Sequence, residues 1–177
     1  MDLAKAILPD AVEVSGRFYQ VKTGHSYWFR FSEILEQEKV FLTDADYLYT
    51  GEPPEDRQAG FDALSKFYYE PKVVPRTDGD SGDRILDYSI DSDLIYAAIL
   101  QCYKIDLYEK QYHWHKVRAM IAGLHDTKLN EILGYRCVTP GKNKELAKAK
   151  AAWALPQKVD ASTKEALDSF SAQFYNA

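Results

Sequence analysis

The sequence predicts a mainly α protein: a compact helical domain of about six helices with a short N-terminal β-hairpin. Apolar residues recur three and four positions apart over most of the chain, which is the period of an amphipathic helix. Only residues 12–21, VEVSGRFYQV, show short β-type runs, and these flank the Ser15-Gly16 pair of a tight turn. The hydrophobic content of 46%, with 13 Tyr, 8 Phe and 3 Trp, supplies the bulk that a core requires.

A chain of 177 residues is long enough for one domain, or for one domain and an appendage. We expect the helical domain over residues 1–156. Residues 157–177 are more polar, and we expect a tether followed by a short amphipathic helix, because STKE at 162–165 has the form of a capping box. The apolar positions of that helix, three and four apart, are Leu167, Phe170 and Phe174.

The hairpin is followed by helical patterns that are separated by turn-forming residues. Gly123 and Gly134 are expected to end two helices, since glycine is common just beyond a helix C-terminus. Asp91 and Asp93 stand at the start of the strongest helical stripe, where carboxylates cap free backbone N–H groups, so they are interpreted as capping residues. The predicted helices lie at residues 25–37, 43–49, from Pro53-Pro54 to Pro71, from Asp91 through Cys102, 107–122, 127–133 and 142–154.

Charge and composition argue against several classes of partner. The net charge of −5 and the pI near 5.4 disfavour nucleic acid, and the lysine-rich stretch KNKELAKAK at 142–150 is interpreted as the solvated face of a helix. No stretch approaches the length of a membrane span, and the N-terminus has no secretory signal. Cys102 and Cys137 lack zinc-ligand spacing and are expected to be reduced thiols. We therefore expect a soluble cytoplasmic protein.

The stretch YHWHKVR at 112–118 raises the question of a two-histidine site. On a helix, positions 113 and 115 diverge by about 200°, whereas two ligands need i,i+3 or i,i+4 spacing to meet at one metal. We expect His113 at the border of the apolar face and His115 pointing away from it. Glu109 and His113 have i,i+4 spacing, so a hydrogen bond between them or a shared metal stays open. No nucleophile motif or phosphate loop occurs, and no catalytic residue, cofactor or metal site is predicted.

Four stretches of the second half carry a resemblance to a known family. They are DSDLIYAAILQCYKIDL (91–107), YHWHKVRAMIAGL (112–124), DTKLNEILGYR (126–136) and ALP (154–156). With LPDAVEVSGRFYQV and EDRQAGFDALSKFYYEP before them, their order and spacing resemble the bacteriophage gene-product-fifteen family of small tail-assembly proteins. The genes of this family typically lie between those of the major tail protein and the tape-measure protein of a phage or prophage. The likeness covers roughly residues 8–156, and it departs at His115, where the family tends to have an aromatic residue.

The resemblance implies a non-enzymatic tail-assembly chaperone that binds the tape-measure protein in the host bacterial cytoplasm and is absent from the mature virion. A tape measure is a very long helical chain with repeated apolar faces, which aggregates unless a soluble protein covers it. The resemblance also allows contacts with other tail proteins and a homo-oligomer. The alternatives are a structural minor tail or connector component of the virion and, less favoured, a metal-dependent enzyme using Glu109 and His113.

Partner contacts are expected among exposed aromatic residues of the helices between 91 and 136. The candidates are Tyr96, Tyr103, Tyr108 and Tyr112, each of which could instead be a core residue with its hydroxyl at the surface. Leu167, Phe170 and Phe174 form a second candidate set. We expect them to dock into a groove on a neighbouring subunit, to fold back onto their own domain, or to remain disordered.

Overall fold

Helices make up most of the regular structure, and a two-stranded antiparallel sheet lies at the N-terminal end. The computed structural model describes residues 7–37, 39–69 and 84–156. The mainly α class with an N-terminal hairpin is confirmed. No helix within these ranges has the length and apolarity that a membrane span requires. The elements are β1 (Ala11–Val14), β2 (Arg17–Gln20), α1 (His25–Glu36), a 3₁₀ helix (Leu42–Leu48), α2 (Arg57–Tyr69), α3 (Ser92–Tyr103), α4 (Trp114–Ala122), α5 (Lys128–Cys137) and α6 (Lys144–Trp153).

The hairpin forms because its turn accepts positive φ angles. Ser15 has φ 51° and Gly16 has φ 78°, the combination that a two-residue hairpin turn requires to match the twist of its strands. The register runs from Ala11 opposite Gln20 to Val14 opposite Arg17. Alternation along β1 then buries Val12 and Val14, which join the core.

Two clusters of buried side chains form the core, and α4 contributes to both. The first cluster combines the hairpin, α1, the 3₁₀ helix and α2 with Trp114, which is 0% exposed. The second cluster combines α3 and α5 with Val117 of α4, also 0% exposed. Phe29 and Tyr88 pack against both clusters and join them. The apolar interior is therefore continuous from the hairpin to α5, and α6 contributes no buried residue to it.

Residues 21–25 cross residues 112–114, and we call this crossing the junction. Gly24 pairs with His113 in an isolated antiparallel bridge. The backbone N–H of His25 donates to the Tyr112 carbonyl at 2.8 Å, and the N–H of Trp114 donates to the Thr23 carbonyl at 2.7 Å. The first N–H group of each helix, α1 and α4, thus donates to a carbonyl in the segment that precedes the other helix, which fixes the two helices relative to one another.

The junction explains one incorrect helix boundary. A helix was predicted over 107–122, but α4 begins at Trp114, because the backbone of 112–113 is engaged with the chain before α1. Two other boundaries also differ. The helix after Pro53-Pro54 begins later, at Arg57, where Asp56 Oδ1 accepts the N–H of Ala59 at 3.0 Å. The helix that was expected to stop at Gly134 continues to Cys137.

A buried ion pair explains the extra turn of α5. Nη1 and Nη2 of Arg136 lie 2.6 and 2.9 Å from the two carboxylate oxygens of Asp91, and both side chains are almost fully buried. Asp91 was predicted to cap α3, but its side chain makes no capping hydrogen bond there. Arg136 also donates to the carbonyls of Ile85 and Trp153, at 2.9 and 2.7 Å. This guanidinium therefore ties the approach to α3, α5 and the end of α6 together.

Candidate functional site

His113 occupies the N-cap position of α4 and lies outside the helix. Its Nδ1 accepts the backbone N–H of His115 at 3.1 Å, and its Nε2 lies 2.8 Å from the carbonyl oxygen of Pro9. Both ring nitrogens are therefore engaged. Glu109 precedes α4, so the predicted i,i+4 relation with His113 does not exist, and the Glu109–His113 pair is not formed.

His115 was expected to point away from the core, and this prediction is wrong. The residue is 4% exposed, and its Nε2 lies 2.8 Å from the carbonyl oxygen of Phe67. The imidazole also packs on the Phe67 ring, with 4.4 Å between the ring centroids. Helix α4 is buried on two sides, with Val117 in the α3–α5 cluster and His115 against α2, whereas an apolar stripe in the sequence marks only one of them.

Burial lowers the pKa of His25, His113 and His115, so these imidazoles are neutral at pH 7. Nδ1 of His25 accepts the backbone N–H of Tyr112 at 3.1 Å, as Nδ1 of His113 accepts that of His115. A neutral imidazole that accepts at Nδ1 carries its proton on Nε2, so His113 donates to the Pro9 carbonyl. These rings hold backbone segments together at and beside the junction.

Residues 7–37, 39–69 and 84–156 bring together no group of three or more His, Cys, Asp or Glu side chains that could hold a metal ion. Cys102 and Cys137 are free thiols, and Cys102 Sγ lies 3.5 Å from the carbonyl oxygen of His125.

A groove of about 380 Å³ opens between α1 and the first turns of α3. Phe29, Ile95 and Leu107 supply its apolar lining, and Tyr96 and Tyr108 stand beside them. The two tyrosine rings meet edge to face with 5.2 Å between centroids. We call this cavity the tyrosine groove.

The tyrosine groove brings together two of the four predicted contact tyrosines. Tyr96 is half-buried, whereas Tyr108 is 85% exposed. Tyr103 and Tyr112 do not line the groove. The hydroxyl of Tyr103 donates to the Met120 carbonyl at 3.0 Å, and the half-buried Tyr112 ring lies beside that of His25. A role for any of the four in partner binding remains a prediction.

Polar residues of α1 complete the groove, and no sequence pattern marks them as site residues. Arg30 and Glu33 line it, about 60 positions before Tyr96 in the chain, and only the fold places them there. Desolvation and the neighbouring Asp106 raise the pKa of Tyr96, so its hydroxyl remains a hydrogen-bond donor at neutral pH. The groove therefore offers an apolar lining together with an acidic, a basic and a neutral polar group.

One further cavity and the C-terminal contact residues were also candidates for a binding surface. A cavity of about 670 Å³ lies between α1, the end of α2 and residues 86–89, next to the two ends of a segment outside the described ranges. The predicted contact residues Leu167, Phe170 and Phe174, and the tether before them, also lie outside the described residues. Neither the cavity nor these residues indicate a particular ligand.

Comparison with known proteins identifies the family. The family model described as bacteriophage Gp15 protein matches residues 5–155, which is most of the chain and includes the hairpin, the junction and the tyrosine groove. Searches of curated proteins and of solved structures gave no match. Membership of this family implies a phage structural or morphogenesis protein. The chain belongs to the bacteriophage Gp15 protein family.

Proposed function

We propose that this protein is a non-enzymatic tail-assembly chaperone that binds the tape-measure protein and keeps it soluble until the tail tube assembles. The observation that carries the proposal is the tyrosine groove in a member of a phage morphogenesis family. A tape measure presents amphipathic helices, and such helices bind by placing apolar side chains in a groove of a folded partner.

The chemistry of the tyrosine groove suits an amphipathic helix. The buried Ile95 and Leu107 line the groove beside Tyr96 and the exposed Tyr108, so an apolar side chain that enters the groove meets an apolar surface. Tyrosine adds a large contact area at a low cost in side-chain entropy, and this residue type is enriched among binding hot spots. Arg30 and Glu33 supply charges of both signs for the polar flank of the helix.

The overall charge supports a role as a dispersing protein. With a net charge of −5, complexes of this protein with an aggregation-prone chain repel one another and stay dispersed. The same charge disfavours nucleic acid as the main partner. On this proposal the protein acts in the host bacterial cytoplasm and is absent from the mature virion.

The test is co-expression with the tape-measure protein encoded beside it, followed by co-purification and assay of soluble tape measure. We expect Tyr108→Ala to weaken binding by about tenfold or more, because truncating a hot-spot residue costs more than about 1.4 kcal/mol. Phe18→Ala is the matched control, since Phe18 is a 74% exposed aromatic residue on β2, outside the groove. The proposal is wrong if no complex forms, or if the two variants behave alike.

The alternative function is a structural minor tail or connector component of the virion. The protein composition of purified virions distinguishes this alternative from the chaperone. Mass spectrometry of wild-type virions would detect stoichiometric amounts of a component. A chaperone is absent from them but required for tails to form, so deletion of its gene yields free, aggregated tape measure.

A further inference from the structure

Helix α6 is the least enclosed helix in the described part of the chain. None of the residues Lys144–Trp153 is buried, although the helix starts with a side-chain cap in which Asn143 accepts the N–H of Leu146 at 3.1 Å. It packs against α5 through one side, where Ala149 and Lys150 are half-buried. A helix of ten residues is marginal in water without packing, so a second contact would stabilise it.

The outward face of α6 is basic with small residues between the charges. Lys144 and Lys148 are four residues apart, as are Ala147 and Ala151, and all four are exposed, so they share one face. Residues 142–150 contain four lysines and one glutamate, a net charge of +3 in a chain whose total is −5. This segment is therefore opposite in sign to the rest of the molecule.

The matching surface lies on the 3₁₀ helix and the start of α2. Residues 42–62 contain six carboxylates and one arginine, and the single arginine, Arg57, is paired with Asp46 at 3.2 Å. That ion pair brings the two segments together and leaves the exposed Asp44, Glu55 and Asp56 around it. Phe41, 55% exposed, adjoins Asp44 through a turn, with Lys39 over its ring, and offers an aromatic side chain to small residues. We call residues 41–62 the acidic surface.

Within the described residues, α6 packs on α5, whereas the segments of the acidic surface pack on α1, on the hairpin and on each other. Helix packing runs from the 3₁₀ helix through α1, α4, α3 and α5 to α6, so α6 and the acidic surface stand at opposite ends of this series. We propose that the outward face of α6 docks on the acidic surface of a second copy of this chain. The two faces are different, so the contact is head-to-tail, and repeated contacts give an open row or a ring of subunits. This inference does not depend on the tape measure being the partner.

The experiment is sedimentation velocity of the full chain over a wide concentration range in about 0.01 M and about 1 M salt, where the screening length falls from about 30 to about 3 Å. We expect the average mass to rise with concentration in low salt only. The double variant Lys144→Glu/Lys148→Glu should weaken association by about tenfold or more, because like charges then face each other. Lys150 is left in place, since it donates to the Val138 carbonyl at 3.0 Å.

Two controls separate docking from a general charge effect. Lys104→Glu/Lys116→Glu changes the net charge equally at exposed lysines outside α6 and should leave association intact. Asp44→Lys/Glu55→Lys changes the net charge of residues 42–62 from −5 (six carboxylates, one arginine) to −1 (four carboxylates, three cations), and should weaken self-association by about tenfold or more. An equimolar mixture with the α6 variant should restore association into pairs, since the intact α6 of one variant then meets the intact acidic surface of the other. A monomeric wild type in low salt, equal loss in the Lys104/Lys116 control, or a mixture that stays monomeric overturns the proposal.

Discussion

Replacing Asp91 by asparagine removes the negative charge of the buried ion pair but keeps the size of the side chain. Asp91 is 1% exposed, and its two oxygens accept from both terminal nitrogens of Arg136 and from the backbone N–H of Asp87. An amide nitrogen at either oxygen position would face a donor. The Arg136 charge would then be buried without a counter-ion, which costs about 3–5 kcal/mol of the free energy of unfolding.

Thermal and urea denaturation measure this loss. A cost of about 4 kcal/mol lowers the midpoint temperature by roughly 8–16 °C in a domain of this size. Asp46→Asn is the matched control, because Asp46 pairs with Arg57 at the surface, where the two side chains are 28% and 36% exposed. It should cost at most about 1 kcal/mol. If Asp91→Asn is no more destabilising than Asp46→Asn, the account of the pair as the tie between α3, α5 and α6 is refuted.

Three further predictions concern the junction and the helix ends. Burial lowers the pKa of His25, His113 and His115, so below about pH 6.5 these residues bind more protons in the unfolded chain than in the folded one. The free energy of unfolding should therefore keep its full value above about pH 6.5 and decrease as the pH falls below it. Urea titrations at a series of pH values measure this decrease. A flat profile between pH 7.5 and about pH 5 would contradict this reasoning. Trp114→Phe removes volume from a fully buried site and a 3.0 Å hydrogen bond to the Tyr68 carbonyl, and it should cost about 1–3 kcal/mol by urea denaturation; an unchanged midpoint would show that the site is not tightly packed. Thr127→Ala removes the capping box of α5 and should cost about 1 kcal/mol, whereas Thr127→Ser should retain most of the stability.

The sequence predicted the class and the order of the elements because periodicity and turn residues are local signals. It placed the hairpin, α1 and the short helix near Leu42–Leu48 within a residue or two, although the short helix proved to be 3₁₀. It failed where a distant segment decides the local structure. His113 caps α4 because the chain before α1 engages residues 112–113, and Asp91 points at Arg136, which lies 45 positions further along the chain.

The candidate site was likewise predictable where a local pattern marks it and unpredictable where distant segments form it. The pattern selected tyrosines by type and helical position, and the fold then separated the pair at the groove from Tyr103 and Tyr112. Arg30 and Glu33 carried no signal, because polar residues on the outer face of a helix are ordinary in any soluble protein. No local pattern states that α1 and α3 will lie side by side.

Trp114 has a consequence for synthesis on the ribosome. Every other described buried member of the first core cluster lies between Val12 and Tyr68, so this cluster stays open until the tryptophan has left the exit tunnel. During that interval Trp28 and Phe67, which are nearly inaccessible in the finished fold, have no complete apolar enclosure. Nascent chains arrested just before residue 114 should therefore be protease-sensitive throughout, and chains in which α4 and α5 have emerged should contain the first protected fragment.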